Sequence, residues 1–453
     1  MIHKYRWANA NFVIDTNSGA VHVVDDVAYD ILDYINGVFL DYTEDYVVKK
    51  LENKYPKDEI RESYKELLEL YKKEKLFSKD IYENLATTEK LYSPIKSICL
   101  NIAHDCNLRC EYCFASKGNF GCGKKELMPL DTAKKAIDFL IEKSDNIRNL
   151  EVDFFGGEPL MNWGVVTETV KYARSLEKKY NKNFRFTLTT NGVLLDDEKI
   201  NFINKEIYDV VLSLDGRKEI NDRFRINNLK QGSYDLIVPK FQKLVKLRGD
   251  KRYYVRGTYT RKNLDFSKDL MHLYDLGFKS ISMEPVLCDG DFEYSIKEDD
   301  VPKILEEYDL ICKKLINLKQ NGKDIRFFNF DIDLNNGPCV VKRLKGCGCG
   351  NDYVAISPNG DIFVCHQFVG ENKLKMGNVN DETFDDNLKI KFINTHIYKK
   401  EKCRSCWAKF YCTGGCASKN YSSNKDIMLP FDVNCTIQKK KVECAIALQY
   451  FSN

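Results

Sequence analysis

Cys106-Asn107-Leu108-Arg109-Cys110-Glu111-Tyr112-Cys113-Phe114 places three cysteines at x3 and x2 spacing. Three thiolates this close together can hold three irons of a cubane iron–sulfur cluster. The run contains no fourth ligand. One iron is then left open, and an open metal position is where chemistry happens rather than storage. A structural zinc site is the plainer reading of the same thiols, and it needs His104 or Cys122 as a fourth ligand.

Around the triplet, strand-like and helix-like stretches alternate. Strands are expected at Ile95–Ala103, Leu150–Phe155, Phe184–Thr190, Val210–Leu214, Tyr253–Tyr259 and Ser280–Glu284. Helices are expected between and after them, at Leu130–Lys143, Val165–Tyr180, Glu198–Ile203, Ser233–Leu247, Phe266–Tyr274 and Val301–Leu318. Six β–α repeats imply a parallel sheet, either open or curled into a partial barrel. Such sheets work at the C-terminal ends of their strands, and the triplet follows the first strand immediately.

Residues 1–85 read as a separate unit. Asn11–Asp15 and Ala20–Val24 flank the hairpin signal Asn17-Ser18-Gly19. Asp25 or Asp26 can cap a helix running to about Asn36, and helical patterns follow at Thr43–Lys54 and Lys57–Lys75. Two strands, three helices and the pair Leu76-Phe77 resemble a small winged-helix module. Asp80–Ser93 is polar and reads as a linker. Residues 330–453 lose the repeat and turn rich in Gly and Cys, as in a segment whose order depends on metal.

The chain has 453 residues, 70 Lys+Arg and 67 Asp+Glu. That length suits two to four domains with a large core. The charge balance argues against nucleic acid or a membrane surface as an electrostatic partner. Met1–Ala10 shows no signal peptide, and no apolar run is long enough for a bilayer. Seventeen cysteines without a secretion signal point to a reducing cytoplasm and to metal ligation rather than disulfides.

The triplet with its aromatic flank resembles that of the radical S-adenosylmethionine (SAM) superfamily. The resemblance implies a partial (β/α)6 barrel over 94–325 and a cluster whose open iron is chelated by the methionine end of SAM. It also implies SAM contacts from Tyr112, Gly156, Gly157, Glu158, Asn191, Ser213, Asp215 and Arg225, with Arg256 an alternative partner for the SAM carboxylate. Cys403-x2-Cys406-x5-Cys412-x3-Cys416, then Cys435, preceded by Cys347, Cys349 and Gly360-x4-Cys365, resembles the SPASM extension of peptide-modifying members. By that pattern Cys403, Cys406, Cys412 and Cys435 hold a distal 4Fe–4S cluster, and Cys347, Cys365 and Cys416 a proximal one. The fourth proximal position is left to Cys349, Cys339, a substrate thiolate or none. Cys99, Cys122, Cys288, Cys312 and Cys444 fit no cluster; most read as buried apolar residues, while Cys122 sits in a loop able to face substrate.

The N-terminal module resembles the element that binds the leader of a ribosomally made peptide as an added strand. The order of parts, with Asn17–Asp26 and Cys365-His366-Gln367-Phe368-Val369-Gly370, is similar to the maturases of six-cysteines-in-forty-five peptides. That family installs Cys-to-Thr thioethers. It implies three 4Fe–4S clusters, SAM, a Cys-rich precursor peptide and a low-potential flavodoxin- or ferredoxin-like donor. Anaerobic sulfatase maturases share the SAM and SPASM parts but lack the leader module, and they carry Asp where this chain has His366, a candidate proton acceptor. A non-catalytic iron–sulfur carrier is the reading from another class.

Overall fold

The computed structural model describes residues 1–35, 37–286, 292–334 and 339–452. Its first unit is a three-stranded antiparallel sheet of β1 (Ile2–Trp7), β2 (Ala10–Asp15) and β3 (Val21–Val24), in that order. Helices Asp26–Ile31, Glu44–Leu51 and Lys57–Lys72 follow. Asp25 and Thr43 cap the first two by accepting from Ala28 N and Tyr46 N. Val27, Ile31, Phe39, Val47, Ile60 and Leu67 form a core of their own against Val13. The adjacent β2 residues Phe12 and Ile14 face the other way, into the core of the rest of the chain.

The main sheet begins with β4 (Ser97–Ala103), β5 (Asn149–Gly156), β6 (Asn183–Thr190), β7 (Asp209–Ser213), β8 (Tyr253–Tyr259) and β9 (Ser280–Pro285). These six lie side by side in chain order, each parallel to the next. Short β10 (Arg326–Phe327) extends the β9 edge in parallel. Beyond β4 come β11 (Tyr353–Ile356), parallel to it, and then antiparallel β12 (Asp361–Phe363), β13 (Lys375–Asn378) and β14 (Thr383–Phe384). Leu150, Val152 and Phe154 of β5 are buried with the core under the helices, and Glu151, Asp153 and Phe155 take the opposite face. A parallel strand covered by apolar layers on both faces reads as one hydrophobic run. The alternation here marks an inner face built for polar occupants. Phe155, Thr189, Ser213, Arg256 and Glu284, from five successive strands, line one cavity, so the sheet is curled as the partial barrel requires.

Several expectations need correction. Ile2–Trp7 is a strand, because Tyr5 and Trp7 bury while Arg6 is exposed; the sheet has three strands, not two. The helix expected to reach Asn36 ends at Ile31, and position 36 lies outside the described residues, as does Cys288. Asp80–Ser93 is no free linker: Asp80 accepts from Tyr398 and Lys409, and Leu91 packs with Leu344 and Ile393. The last stretch holds a 21-residue helix, Asp432–Ser452, besides its cysteines. This helix lies parallel to Val301–Gln320, with Lys440 on Asp309 (2.7 Å), Cys444 O accepting from Cys312 Sγ (3.3 Å) and Phe451 O from Gln320 (2.9 Å). No helix among the described residues is long and apolar enough to cross a membrane.

Phe12 is fully buried, 4.9 Å from the Tyr5 ring and 5.5 Å from Tyr450. Phe12→Ala is expected to cost about 3–5 kcal/mol in a denaturant midpoint, and a loss under ~1 kcal/mol would contradict a packed junction there.

Candidate functional site

The loop after β4 carries the triplet, and its three thiols line the cavity that opens at the strand ends. Two glycines let the strands converge there. A Cβ on Gly157 would stand 2.1 Å from Asp105 O, and one on Gly156 (φ +127°) 2.5 Å from Ala103 O. The amides of Gly157 and Glu158 instead donate to those two carbonyls, at 2.7 Å and 2.9 Å. The Gly-Gly pair therefore serves first to seat the cysteine loop on the end of β5. Asn191 Nδ2 reaches across from β6 to Asn107 Oδ1 (2.7 Å) and Cys106 Sγ (3.6 Å). Arg109, unremarked in the sequence, donates to Leu108 O (2.8 Å) and Cys106 O, gathering the loop's carbonyls.

Tyr112, Gly156, Gly157, Glu158, Asn191, Ser213 and Arg225 all reach this cavity, as does Arg256. Asp215 does not line it. It is fully buried and accepts from Tyr112 Oη, from Arg225 Nη2 (3.1 Å) and from Thr258 N (2.9 Å). Its work is to hold Tyr112 and Arg225 against the wall. The Glu158 side chain is likewise spent on scaffolding, accepting from Leu160 N (3.1 Å), Thr190 Oγ1 (2.8 Å) and Asn191 N (2.8 Å). Burial pushes its carboxyl up to about 7 against those hydrogen bonds. The guanidinium of Arg256 makes no hydrogen bond or ion pair among the described residues, although its charge acts on Glu284.

The zinc reading loses its fourth ligand. His104 is buried against the Phe120 ring (4.8 Å between centroids), and Cys122 is exposed; neither lines the cavity. No group of three or more His, Cys, Asp or Glu among the described residues is set around a single ion. Thiols spread over one wall fit a body several ångströms across. Burial pushes Cys106 and Cys110 up to about 12, so they need a metal's charge to ionise.

A second cavity, of about 620 Å³, holds Cys347, Cys365 and Cys416 on its wall. Cys412 also borders it. It shares the wall residues Arg256, Glu284, Pro285 and Gln367 with the first cavity, and the two adjoining spaces are together called the lumen. Burial alone would raise the Glu284 carboxyl, yet Lys441, Lys419 and Arg256 hold it below the usual range. Glu284 and Lys441 (3.4 Å apart) were missed in the sequence; the position of Glu284 at a C-terminal strand end was the available signal. His366 stands on the same wall, its Nδ1 2.7 Å from Tyr353 Oη and 3.6 Å from Cys365 Sγ.

The alternatives for a fourth proximal thiol separate. Cys339 is exposed. Cys349 is buried and does not line the cavity, but its thiol is hydrogen-bonded to that of Cys365 and is within electrostatic reach of Cys347 and Cys416. Cys403, Cys406, Cys412 and Cys435 gather on the far side. Burial, and then the like charges of Cys412, Cys435 and Cys406, push Cys403 up to about 12. Between Cys412 and Cys416, Thr413, Gly414 and Gly415 all have positive φ (60°, 88° and 73°), so the chain bends sharply there. Cys99, Cys312 and Cys444 are buried as expected.

Residues 100–255 match the family model of the radical SAM superfamily, and 347–407 that of the SPASM iron–sulfur cluster-binding domain. The cysteine-type anaerobic sulfatase-maturating enzyme of Clostridium novyi is 26% identical over 338 residues, 69% of this chain and 85% of that protein. The antilisterial bacteriocin subtilosin biosynthesis protein AlbA of Bacillus subtilis is 26% identical over 341 residues, 72% of this chain and 67% of that protein. The solved structure of Streptococcus suis SuiB bound to S-adenosylmethionine shares the fold over 93% of this chain and 96% of that one, with a TM-score of 0.54 and 17% identity.

Gly157→Ala is expected to lose the iron of the first site, about four atoms per chain, although its three cysteines remain. Gly164→Ala, where a Cβ meets nothing within 4 Å, serves as the control and is expected to keep it.

Proposed function

We propose that this chain, a radical SAM domain followed by a SPASM domain, installs intramolecular thioethers, Cys to Thr, in a Cys-rich ribosomally made peptide. The observation that carries this reading is the lumen, in which the triplet cavity adjoins the Cys347–Cys365–Cys416 cavity at Arg256, Glu284, Pro285 and Gln367. An acceptor carbon at one end and a peptide sulfur at the other can then meet without leaving the protein.

Cys106, Cys110 and Cys113 would hold the SAM cluster, Cys347, Cys365 and Cys416 the proximal cluster, and Cys403, Cys406, Cys412 and Cys435 the distal one. When bound, SAM and its cluster supply a 5′-deoxyadenosyl radical, and the auxiliary clusters carry single electrons. The chain's own residues position the reactants. Asp215 holds Tyr112 and Arg225 at the SAM wall. Arg256, whose guanidinium makes no hydrogen bond among the described residues, would receive a carboxylate. The fourth position would fall to Cys349, whose thiol is hydrogen-bonded to that of Cys365, or to the peptide thiolate. His366 Nδ1 is taken by Tyr353, leaving Nε2 to receive the thiol proton.

The N-terminal unit would bind the leader. β3 pairs with β2 on one side, and its other edge is unpaired among the described residues, as strand addition requires. Holding the leader there raises the concentration of the core peptide at the lumen. A relation to peptide maturases is supported by AlbA and by SuiB, which has been solved bound to its precursor peptide SuiA. A low-potential donor of flavodoxin or ferredoxin type and a cytoplasmic setting complete the proposal.

The second reading, a sulfatase maturase, is favoured by the Clostridium novyi relative. That match takes in 69% of this chain, whereas the SuiB likeness takes in 93% and so reaches into the N-terminal unit.

Anaerobic incubation with a Cys-rich precursor is expected to lower the peptide mass by two hydrogens per thioether and to yield one 5′-deoxyadenosine for each. Formation of a formylglycine aldehyde on a sulfatase-type Cys peptide, with no crosslinking of the precursor, would establish the second reading. Cys106→Ala, Cys110→Ala and Cys113→Ala should each abolish 5′-deoxyadenosine, and its persistence would rule out the radical mechanism. Iron analysis of the reconstituted chain should find about twelve atoms; about eight would remove one auxiliary cluster.

A further inference from the structure

Lys400 is 4% exposed. Its Nζ donates to Gly414 O at 2.8 Å, within the bend that separates Cys412 from Cys416. Its own carbonyl accepts from Cys403 N (2.9 Å) and Arg404 N (3.0 Å), so the same residue starts the turn that carries Cys403. The thiols of Cys403, Cys412, Cys416 and Cys347 are within electrostatic reach of its charge. Two of these belong to the distal set and two to the proximal set.

No carboxylate pairs with Lys400 among the described residues. Its surroundings deepen the deficit. Lys345, whose Nζ donates to Phe392 O, adds a second positive charge within electrostatic reach of Lys400. A buried ammonium without a counter-charge is costly. A 4Fe–4S cube with thiolate ligands is net negative, and it would supply what the protein leaves out.

We infer that Lys400 is the counter-cation shared by the two auxiliary clusters and that it holds the reduction potentials of both up together. The inference rests on the proposed division of the cysteines between those clusters. Reduction adds negative charge to a cluster, and a fixed cation beside it in a low-dielectric interior favours that state. Because Lys400 lies between the sets, it acts on both and leaves the driving force from one to the other little changed.

The test compares Lys400→Met and Lys400→Arg with the wild type as full-length reconstituted protein, by iron and sulfide analysis and by redox titration followed by electron paramagnetic resonance. In Lys400→Met both auxiliary signals should move to lower potential, with the reduced-to-oxidised ratio at fixed potential falling at least tenfold, about 59 mV for one electron. Lys400→Arg should restore the wild-type potentials. Loss of auxiliary iron in the Met variant alone, with the Arg variant intact, would also support a required counter-charge. Unchanged potentials in the Met variant, or equal shifts or equal iron loss in both variants, would overturn the inference in favour of packing. A wild-type content of about four irons would overturn the cluster assignment itself.

Discussion

The packing of one helix, Asp432–Ser452, keeps the parts of this chain in register. Cys435 near its start belongs to the distal thiols, and Lys441 reaches Glu284 at the end of β9. Glu443 meets the N-terminal sheet, accepting from Tyr5 Oη through its backbone carbonyl (3.0 Å) and contacting His3 (2.9 Å). Tyr450 and Phe451 close on Phe12. The strip along Val301–Gln320 holds this helix through buried Ile311, Cys312 and Leu315 against Cys444 and Leu448. A shift of one turn along that strip would displace Cys435, Lys441 and the contacts to the N-terminal unit together.

The lumen is the second consequence of how the chain is arranged. Residues with alternate directions on β5 to β9 give an apolar outer face and a polar inner one. That inner face would be unstable if it faced nothing. Charges of both signs are placed there, Glu284 against Lys441, Lys419 and Arg256, and they keep the passage polar between the two cysteine-lined cavities.

The six strands and most of their helices were legible because period-two and period-3.6 patterns survive in the sequence; Tyr253–Tyr259 and Leu130–Lys143 match to the residue. β1 was less so, since Ile2–Trp7 alternates apolar residues with Lys4 and Arg6 and looks merely polar until the rest of the chain covers Tyr5 and Trp7. The last helix hid among Lys439, Lys440 and Lys441 and two cysteines, because its lysine stems pack while their charged ends find Asp309 and Glu284. Among the site residues, Glu158 and Asp215 were legible as important but not in their roles. Motif position marks a residue near the site, and only hydrogen-bond geometry tells a contact from a support.

The sequence by itself determined the chemistry at hand. The spacings of Cys106, Cys110 and Cys113 and of the later cysteines mark candidate cluster ligands, a local property of a chain, and leave the fourth proximal ligand open. Tertiary structure decided what those ligands face. That Cys416 joins Cys347 and Cys365 on one wall, that Cys349 hydrogen-bonds to Cys365, and that buried Lys400 donates to Gly414 O depend on distant segments meeting. Spacing constrains neighbours along the chain. Burial, charge pairing and the direction of a thiol are settled only when distant segments compete for the same space.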